Sequence, residues 1–301
     1  MPEYIIASTI VTDDIWLPGH IHAGRFLGGA GIYALSGLSL WCRDVLLVTG
    51  RGTDFAGQCA DWFHRNHCSE QGLLPREEPT PVTVVRYDSK GRRTDQPLYG
   101  WEHYRKMEAS ASEITAMIDG NTKGVYVFQE IPPGYWEELL SAKSKYHFAL
   151  EWEVNETALR PPKQYDVRKI AERCDILSLN HAEARVLLDE TQPEAVIANL
   201  LSWDIPLIYL RMGKRGAVIL RNGTSVWVPS IPVSAVDPTG AGNASSAAVL
   251  YGCCQGFDAL RCGLLGNLSA GECIRQYGPP EFLAASRERA SKHLQELTQT
   301  R

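Results

Sequence analysis

The chain lacks the features of a membrane, secreted or nucleic-acid-binding protein. No apolar run approaches the roughly eighteen residues of a membrane span, and the N-terminus shows no basic stretch or cleavage site of a secretion signal. Eight cysteines are scattered without a Cys-x-x-Cys pair, which favours reduced thiols over disulfides or a zinc site. The net charge of −5, from 30 basic and 35 acidic residues, gives no bulk attraction to nucleic acid or anionic lipid. These absences predict a cytoplasmic protein with neither a nucleic-acid nor a membrane partner.

Short apolar runs alternate along the chain with segments of helical period. This alternation is typical of βαβ units around a largely parallel sheet. Tyr4–Val11 and Tyr146–Leu150 are two of the predicted strands, and a hairpin predicted over residues 217–228 turns at Asn222-Gly223. The length of 301 residues suits one large domain covering residues 1–301. We therefore predict a three-layer α/β sandwich with a mainly parallel central sheet.

Two stretches interrupt the alternation, at about residues 13–27 and 79–101. The first is extended and aromatic, with a break at Pro18-Gly19, and the second contains an apolar run, a turn at Asp88 to Gly91 and a polar return. Together they predict a small β lid that projects from the main sheet. The alternative is a pair of ordinary surface loops.

The most informative stretch is the ten-residue run from Val236 to Ser245, Val-Asp-Pro-Thr-Gly-Ala-Gly-Asn-Ala-Ser. It has the pattern of a strand end, a turn, a glycine-rich corner and a helix of small residues. Gly240 and Gly242 allow main-chain amides to approach an anion closely, and the helix that they open adds its positive end. Such a corner suits a phosphate group that gains charge during transfer.

This run resembles the signature of the ribokinase-like, or phosphofructokinase-B type, kinases of sugars and nucleosides, which is similar to Asp-Thr-x-Gly-Ala-Gly-Asp. The chain departs from it at Pro238, which replaces the usual threonine, and at Asn243, which replaces the last aspartate. In the family, that aspartate takes the proton from the acceptor hydroxyl. The resemblance thus implies that Gly240, Ala241, Gly242 and Asn243 form the phosphate-binding part of the catalytic site.

Further segments that resemble the family are spread over most of the chain. They include a diglycine at Gly28-Gly29, a Gly-x-Asp-x-x-Gly segment at residues 52–57 and an Asn-x-x-Glu motif that begins at Asn180. The resemblance implies substrate-binding roles for Asp13, Gly28, Gly29 and Tyr33, and nucleotide-binding roles for Asn180, Glu183, Arg211, Gly213 and Asn267.

The resemblance also implies ATP and magnesium as cofactors, with Glu183 acting on the metal indirectly. It implies a small-molecule substrate and a homodimer that pairs through the lid. Simpler structural roles stay open for several of these residues. Asn180 and Glu183 form the pattern of a helix capping box, Gly28-Gly29 suits a tight turn, and Asp13 suits a solvated strand end.

Asn243 leaves three interpretations, because an amide cannot accept a proton at neutral pH. The first is an ATP-dependent kinase of a sugar- or nucleoside-like hydroxyl with weakened catalysis, since general-base assistance is worth about 10²–10⁴ in rate. The second is a binding protein that has lost catalysis. The third is an enzyme with an anionic acceptor, or one that runs non-kinase chemistry, because an anion has no proton to lose. If only the base is missing, Asn243→Asp should raise turnover.

Overall fold

A computed structural model describes residues 2–55, 57–90, 92–159, 161–282 and 284–299, with residue 58 described by its backbone alone. Ala56 of the predicted Gly-x-Asp-x-x-Gly segment and Gly91 of the predicted lid turn lie outside the described residues. The strands of the described part, in chain order, are β1 (Tyr4–Ala7), β2 (Val11–Leu17), β3 (Ile21–Gly28), β4 (Val45–Arg51), β5 (Leu73–Pro75), β6 (Val82–Tyr87), β7 (Arg93–Pro97), β8 (Gly124–Gln129), β9 (Ala149–Val154), β10 (Ile176–Asn180), β11 (Leu207–Arg211), β12 (Ala217–Arg221) and β13 (Thr224–Val228).

The main sheet has nine strands in the order β13-β12-β11-β10-β9-β8-β1-β4-β5. The seven strands β11, β10, β9, β8, β1, β4 and β5 are parallel to one another in this sheet. Strands β12 and β13 add an antiparallel hairpin at the edge next to β11. The predicted hairpin turns at Asn222 and Gly223, whose φ angles of 52° and 70° are those that a type I′ turn requires. The carboxyl ends of β8 to β11 meet at one edge of the sheet, which is where ligands bind in folds of this class.

Helices cover both faces of this sheet, so the predicted three-layer α/β sandwich is confirmed. One apolar cluster lies between the sheet and α4 to α8, and a second lies between the opposite face and α1, α2 and α9 to α11. These helices, with the short α3, are α1 (Ala30–Ser39), α2 (Gln58–Arg65), α3 (Gly100–Lys106), α4 (Ala111–Thr115), α5 (Tyr135–Tyr146), α6 (Gln164–Ala171), α7 (His181–Leu188), α8 (Pro193–Leu201), α9 (Ala241–Cys254), α10 (Ala259–Cys273) and α11 (Ala284–Gln299).

A second, four-stranded sheet in the order β3-β2-β6-β7 forms the predicted lid. Its strands come from both stretches that interrupt the βα alternation. The strand predicted over Tyr4–Val11 is wrong in one respect, because the chain leaves the main sheet after Ala7 and enters the lid at Val11. Asp13 therefore lies inside lid strand β2 and not at the end of the first strand.

The strand predicted over Tyr146–Leu150 begins too early. Tyr146 is the last residue of α5, and His147 then adopts a left-handed conformation, with φ of 61°, that ends the helix. Strand β9 begins at Ala149 and continues to Val154, so two glutamates, Glu151 and Glu153, lie inside it. No helix of the described part is long and apolar enough to cross a membrane.

Candidate active site

The glycine-rich corner lies where the chain enters α9. Gly240 caps this helix with φ of 77°, a left-handed conformation that favours glycine. Within the described part of the chain, the main-chain N–H groups of Gly242 and Asn243 donate to no other group, whereas Ala241 N–H donates to Pro238 O at 3.3 Å. The first turn of a 14-residue helix thus presents two free amides, which can bind an anion.

A guanidinium group lies directly against this corner. A Cβ atom added to Gly242 would lie 2.1 Å from Arg211 Nη1, so any larger residue would displace the guanidinium from its present position. Arg211 is the last residue of β11, and its Nη1 donates to Glu153 Oε1 at 2.6 Å. Its Nε is buried without a hydrogen-bond partner among the described residues. The corner therefore combines free amides with a guanidinium group that is paired with Glu153.

Asn243 is held by the same glutamate. Its Nδ2 donates to Glu153 Oε1 at 3.1 Å and contacts Tyr126 Oη at 3.2 Å, while Tyr126 Oη donates to Glu153 Oε2 at 2.8 Å. Glu153 is only 2% exposed, so its carboxylate depends on these donors and on Arg211 for solvation. The asparagine thus acts as a hydrogen-bond donor to a buried anion, a part that an ionised aspartate could not play.

Glu151 lies two residues from Glu153 on the same face of β9. Both of its carboxylate oxygens are buried without a partner among the described residues. Burial first, and then the nearby Glu153, raise the pKa of Glu151 well above its ordinary value. Burial thus favours the neutral form of Glu151, and Glu153 is the carboxylate that pairs with Arg211.

Asn180 and Glu183 form a capping box at the start of α7. Asn180 Oδ1 accepts from Glu183 N–H at 2.9 Å, and Glu183 Oε2 accepts from Asn180 N–H at 2.6 Å. Arg211 Nη2 also lies 3.4 Å from Glu183 Oε2. Burial raises the pKa of Glu183, and Arg211 partly offsets that rise. The capping role is thus confirmed, and it brings both residues beside the corner.

Asp13 and Tyr33 form a buried polar pair on the lid side. Both are 2% exposed, and Asp13 Oδ2 and Tyr33 Oη have no hydrogen-bond partner among the described residues. A Cβ atom at Gly28 would lie 1.9 Å from Asp13 Oδ2, and one at Gly240 would lie 2.0 Å from Tyr33 Cγ. Two of the predicted glycines thus make room for these side chains, and Tyr33 packs on the corner itself.

The lid contacts the turn that precedes the corner. Tyr87, at the end of β6, donates to Asp237 Oδ1 at 2.8 Å and lies 2.9 Å from Thr239 Oγ1. Asp237 Oδ1 also accepts from the amide and hydroxyl of Thr239, which shapes the turn. Asp237 Oδ2 is buried and unpartnered among the described residues, as is Asp13 Oδ2. Acceptors without donors therefore converge between the lid and the corner.

We expect Asp13 to make the stability of the protein depend on pH. Burial raises the pKa of Asp13 to about 7, and Asp95 and Asp237 add to the rise while Arg93 opposes it. Because the folded pKa exceeds the unfolded value of about 3.9, the folded state holds the proton more tightly, and this contribution to stability is lost as the pH rises from 4 through 7. Asp13→Asn, which stays neutral, should gain stability relative to the natural chain across that range. Thermal unfolding of both proteins from pH 5 to 8.5 tests this, and parallel curves would contradict it.

The remaining predicted residues occupy different places. Gly29 approaches the main chain of Thr9 so closely that a Cβ atom would lie 2.5 Å from its carbonyl oxygen. Gly213 is exposed in a short 3-10 turn after β11. Asn267 lies on α10, where its amide donates to the carbonyls of Val228 and Pro229 at 3.1 and 2.8 Å. Among the described residues, neither of the last two forms a hydrogen bond with Asp13 or Asn243.

The sequence interpretation missed Glu153, Tyr126 and Tyr87. Each lies on a strand far along the chain from the residue that it contacts, so no local spacing connects them. The sequence did contain one signal of Glu153. Two glutamates, Glu151 and Glu153, lie in a strand whose other residues are apolar, and buried carboxylates usually have a specific partner.

Comparison with known proteins agrees with the family resemblance found in the sequence. Residues 21–284 match the model of the pfkB family carbohydrate kinases. A segment of 121 residues is 34% identical to an uncharacterised sugar kinase of Archaeoglobus fulgidus and covers 40% of this chain and 48% of that protein, about half of its length.

Two solved structures share the fold over nearly the whole chain. Adenosine kinase from Sinorhizobium meliloti superposes with a TM-score of 0.80 at 17% identity, covering 97% of this chain and 99% of that one. A putative ribokinase II from Escherichia coli in complex with ATP and Mg²⁺ superposes with a TM-score of 0.78 at 18% identity, covering 97% and 100%. These structures establish the fold, and the family match covers most of the sequence. The chain belongs to the pfkB family of carbohydrate kinases, a family of phosphotransferases.

Proposed function

We propose that this protein transfers the terminal phosphoryl group of ATP to a sugar- or nucleoside-like acceptor at the corner formed by residues 240–243. The observation that carries the proposal is the pair of free amides at Gly242 and Asn243, with the Arg211 guanidinium packed against them. Phosphoryl transfer depends mainly on positioning and on stabilising negative charge, and amides with a cation supply both. The E. coli structure with ATP and Mg²⁺ supports the choice of donor.

The acceptor would lie between the lid and the corner, near Asp13, Tyr33, Gly28 and Gly29. Asp13 Oδ2 and Asp237 Oδ2 are buried acceptors without donors, and a buried acceptor without a partner carries a penalty of about 1–3 kcal/mol. A ligand with several hydroxyl groups would remove this penalty. The geometry therefore favours a polyol portion of the acceptor on this side.

Magnesium fits this site as an ion held chiefly by the phosphates of the nucleotide. The described residues contain no group of three or more His, Cys, Asp or Glu side chains that could hold a metal by themselves. Mg²⁺ commonly keeps several waters and takes only one or two protein ligands beside substrate phosphates. We assign Asn180 and Glu183 an indirect role in holding it, and Gly213 and Asn267 a place on the nucleotide side.

The chain lacks the general base that the family has at the position of Asn243. Asn243 cannot accept a proton, and Glu153 already accepts hydrogen bonds from Arg211, Asn243 and Tyr126. Both carboxylate oxygens of Glu153 are therefore already engaged by donors. We therefore expect slow transfer to an alcohol, reduced by about 10²–10⁴ relative to a chain with a free carboxylate at position 243.

A second candidate is transfer to an anionic acceptor, such as a carboxylate or a phosphate. The lack of a base at Asn243 favours it, because an anionic acceptor has no proton to lose, and Arg211, which also pairs with Glu153, lies beside the amide. A third candidate is a binding protein without catalysis. It would bind its ligands through the same residues but would form no phosphorylated product.

The homodimer through the lid is also a proposal. The lid region exposes several large apolar side chains, and a partner subunit would cover them. They are Ile21 at 61% exposure, Leu98 at 51%, Tyr99 at 50% and Trp101 at 55%.

Calorimetric titration with ATP and magnesium tests the proposed function. The natural chain should bind, and Gly242→Ala should bind at least about tenfold more weakly, because its Cβ atom would displace Arg211 and fill the corner. Gly120→Ala is a matched control, since a Cβ atom there meets nothing within 4 Å. Absence of ATP binding would refute every ATP-dependent version. Product detection with panels of alcohols and carboxylates then separates the three candidates.

A further inference from the structure

A cavity lies at the opposite end of the sheet from the glycine corner. It has a volume of about 240 Å³ and is lined by Val45, the first residue of β4, and by Ser39 at the end of α1. The corner lies at the carboxyl ends of β8 to β11, so this cavity is separate from the proposed active site. It is smaller than the 300–1,000 Å³ of pockets that take drug-sized ligands, so it suits an ion or a small ester better than a nucleotide.

The charged residues that line this cavity are all basic. Arg43, Arg65, His67 and Arg287 line it, and no aspartate or glutamate of the described residues does so. Arg65 is paired with Glu281 at 2.7 Å, but neither Arg43 nor Arg287 has a carboxylate of the described residues within 4 Å. The cavity therefore carries two positive charges that the protein does not neutralise.

Arg287 is fixed in place although it has no anionic partner. Its Nε donates to Phe282 O at 3.2 Å and its Nη2 lies 3.4 Å from Cys42 O. Partial burial and the nearby Arg43 lower the pKa of Arg287, so the two guanidinium groups repel each other across the cavity. An anion between them would convert this repulsion into attraction on both sides.

Three helix ends lie at the cavity, and their partial charges are smaller than those of the arginines. Residue Ala284 begins the 16-residue helix α11, whose first turn contains no acidic residue, and it also lines the cavity. The positive end of α11 thus adds to the arginines. The C-terminal ends of α1 and α2, whose Ser39 and Arg65 line the cavity, act in the opposite sense, but each helix end carries only about half a charge against two full charges.

We propose that this cavity binds a phosphate group through Arg43 and Arg287, either as the free ion or on a small metabolite. The planar guanidinium fork matches phosphate oxygens, and a dianion would neutralise both arginines. The apolar wall formed by Phe282 and Val45 leaves space for a short carbon substituent.

Calorimetric titration with inorganic phosphate, at fixed ionic strength against chloride, tests this site. Arg43→Gln and Arg287→Gln should each weaken phosphate binding by about tenfold or more, since each removes a charge-assisted hydrogen bond. The matched control is Arg289→Gln, on the same helix, whose arginine is exposed and paired with Glu272 at 3.0 Å. The control should bind phosphate as the natural chain does. Arg43 is exposed, so its variant should keep the fold, which thermal unfolding verifies.

Repeating the titration with glycerol 3-phosphate distinguishes the two sources of the phosphate group. Tighter binding of the ester would assign the site to a metabolite, and equal or weaker binding would assign it to the free ion. Equal phosphate affinity in the natural chain and both variants would overturn the proposal, as would chloride competing at the same concentration. ATP affinity should be unchanged in Arg43→Gln, so failure here is separable from failure of the proposed kinase site.

Discussion

Replacing Arg211 with methionine is expected to lower the free energy of unfolding by about 3–5 kcal/mol, the effect of removing one partner of a buried ion pair. Methionine keeps much of the side-chain volume but leaves the Glu153 carboxylate, whose side chain is 3% exposed, without its cationic partner. ATP affinity should fall as well, because the charge beside Gly242 is lost. Urea unfolding followed by circular dichroism measures the first effect, and calorimetry measures the second.

Arg215→Met is the matched control, because Arg215 lies four residues away in the same segment and is exposed. Its effect on stability should stay within about 0.5 kcal/mol. The double variant Arg211→Met/Glu153→Gln should be more stable than Arg211→Met alone, since it removes the unpaired charge. If the single and double variants were equally stable, Glu153 and Arg211 would not form the ion pair described above.

Asn243→Asp, the change that would restore the family residue, is expected to destabilise the protein by about 2–4 kcal/mol at pH 8. The new carboxylate would replace an amide that donates to Glu153 at 3.1 Å, and two anions would then face each other in a buried site. Turnover of a hydroxyl acceptor should therefore not rise in this variant alone. This expected outcome differs from the one given by the sequence alone, in which Asn243→Asp raises turnover because only a base is missing.

The pH dependence and a second substitution test the reason for this effect. The carboxyl pair in Asn243→Asp should have a raised pKa in the folded state, so the variant is most stable at low pH and loses stability as the pH rises from 5 to 8. Adding Glu153→Gln removes the repulsion and should recover stability and permit general-base activity at position 243. A single variant as stable as the natural chain at pH 8 would contradict this explanation.

Much of the site was predictable because its chemistry is local in sequence. The corner at 240–243 follows from glycine spacing, and the capping box of Asn180 and Glu183 follows from an i, i+3 pattern that the structure confirms. The lid was predictable because its stretches break the βα alternation. For the corner and the capping box, one short segment contains the physical cause, whereas the lid joins two separate stretches.

The contacts that change the chemistry of the site were not predictable in this way. Glu153 precedes Asn243 by 90 residues, and Tyr87 precedes Asp237 by 150, so only the register of the sheet and the placement of α9 bring them together. The strand boundary at Tyr146 was missed because a histidine in the left-handed conformation ends α5, a role that glycine usually fills. Side-chain pairing across a fold is a tertiary property.

The most direct test of the central claim is an NMR titration of the ¹⁵N-labelled protein with ATP and magnesium. The amide resonances of Gly242 and Asn243 should show the largest shifts, because their free N–H groups would donate to phosphate oxygens. The amide of Ala244, which already donates to Gly240 O at 2.9 Å, provides an internal reference that should move less. Binding of ATP that leaves Gly242 and Asn243 unshifted would contradict the claim that this corner holds the transferred phosphoryl group.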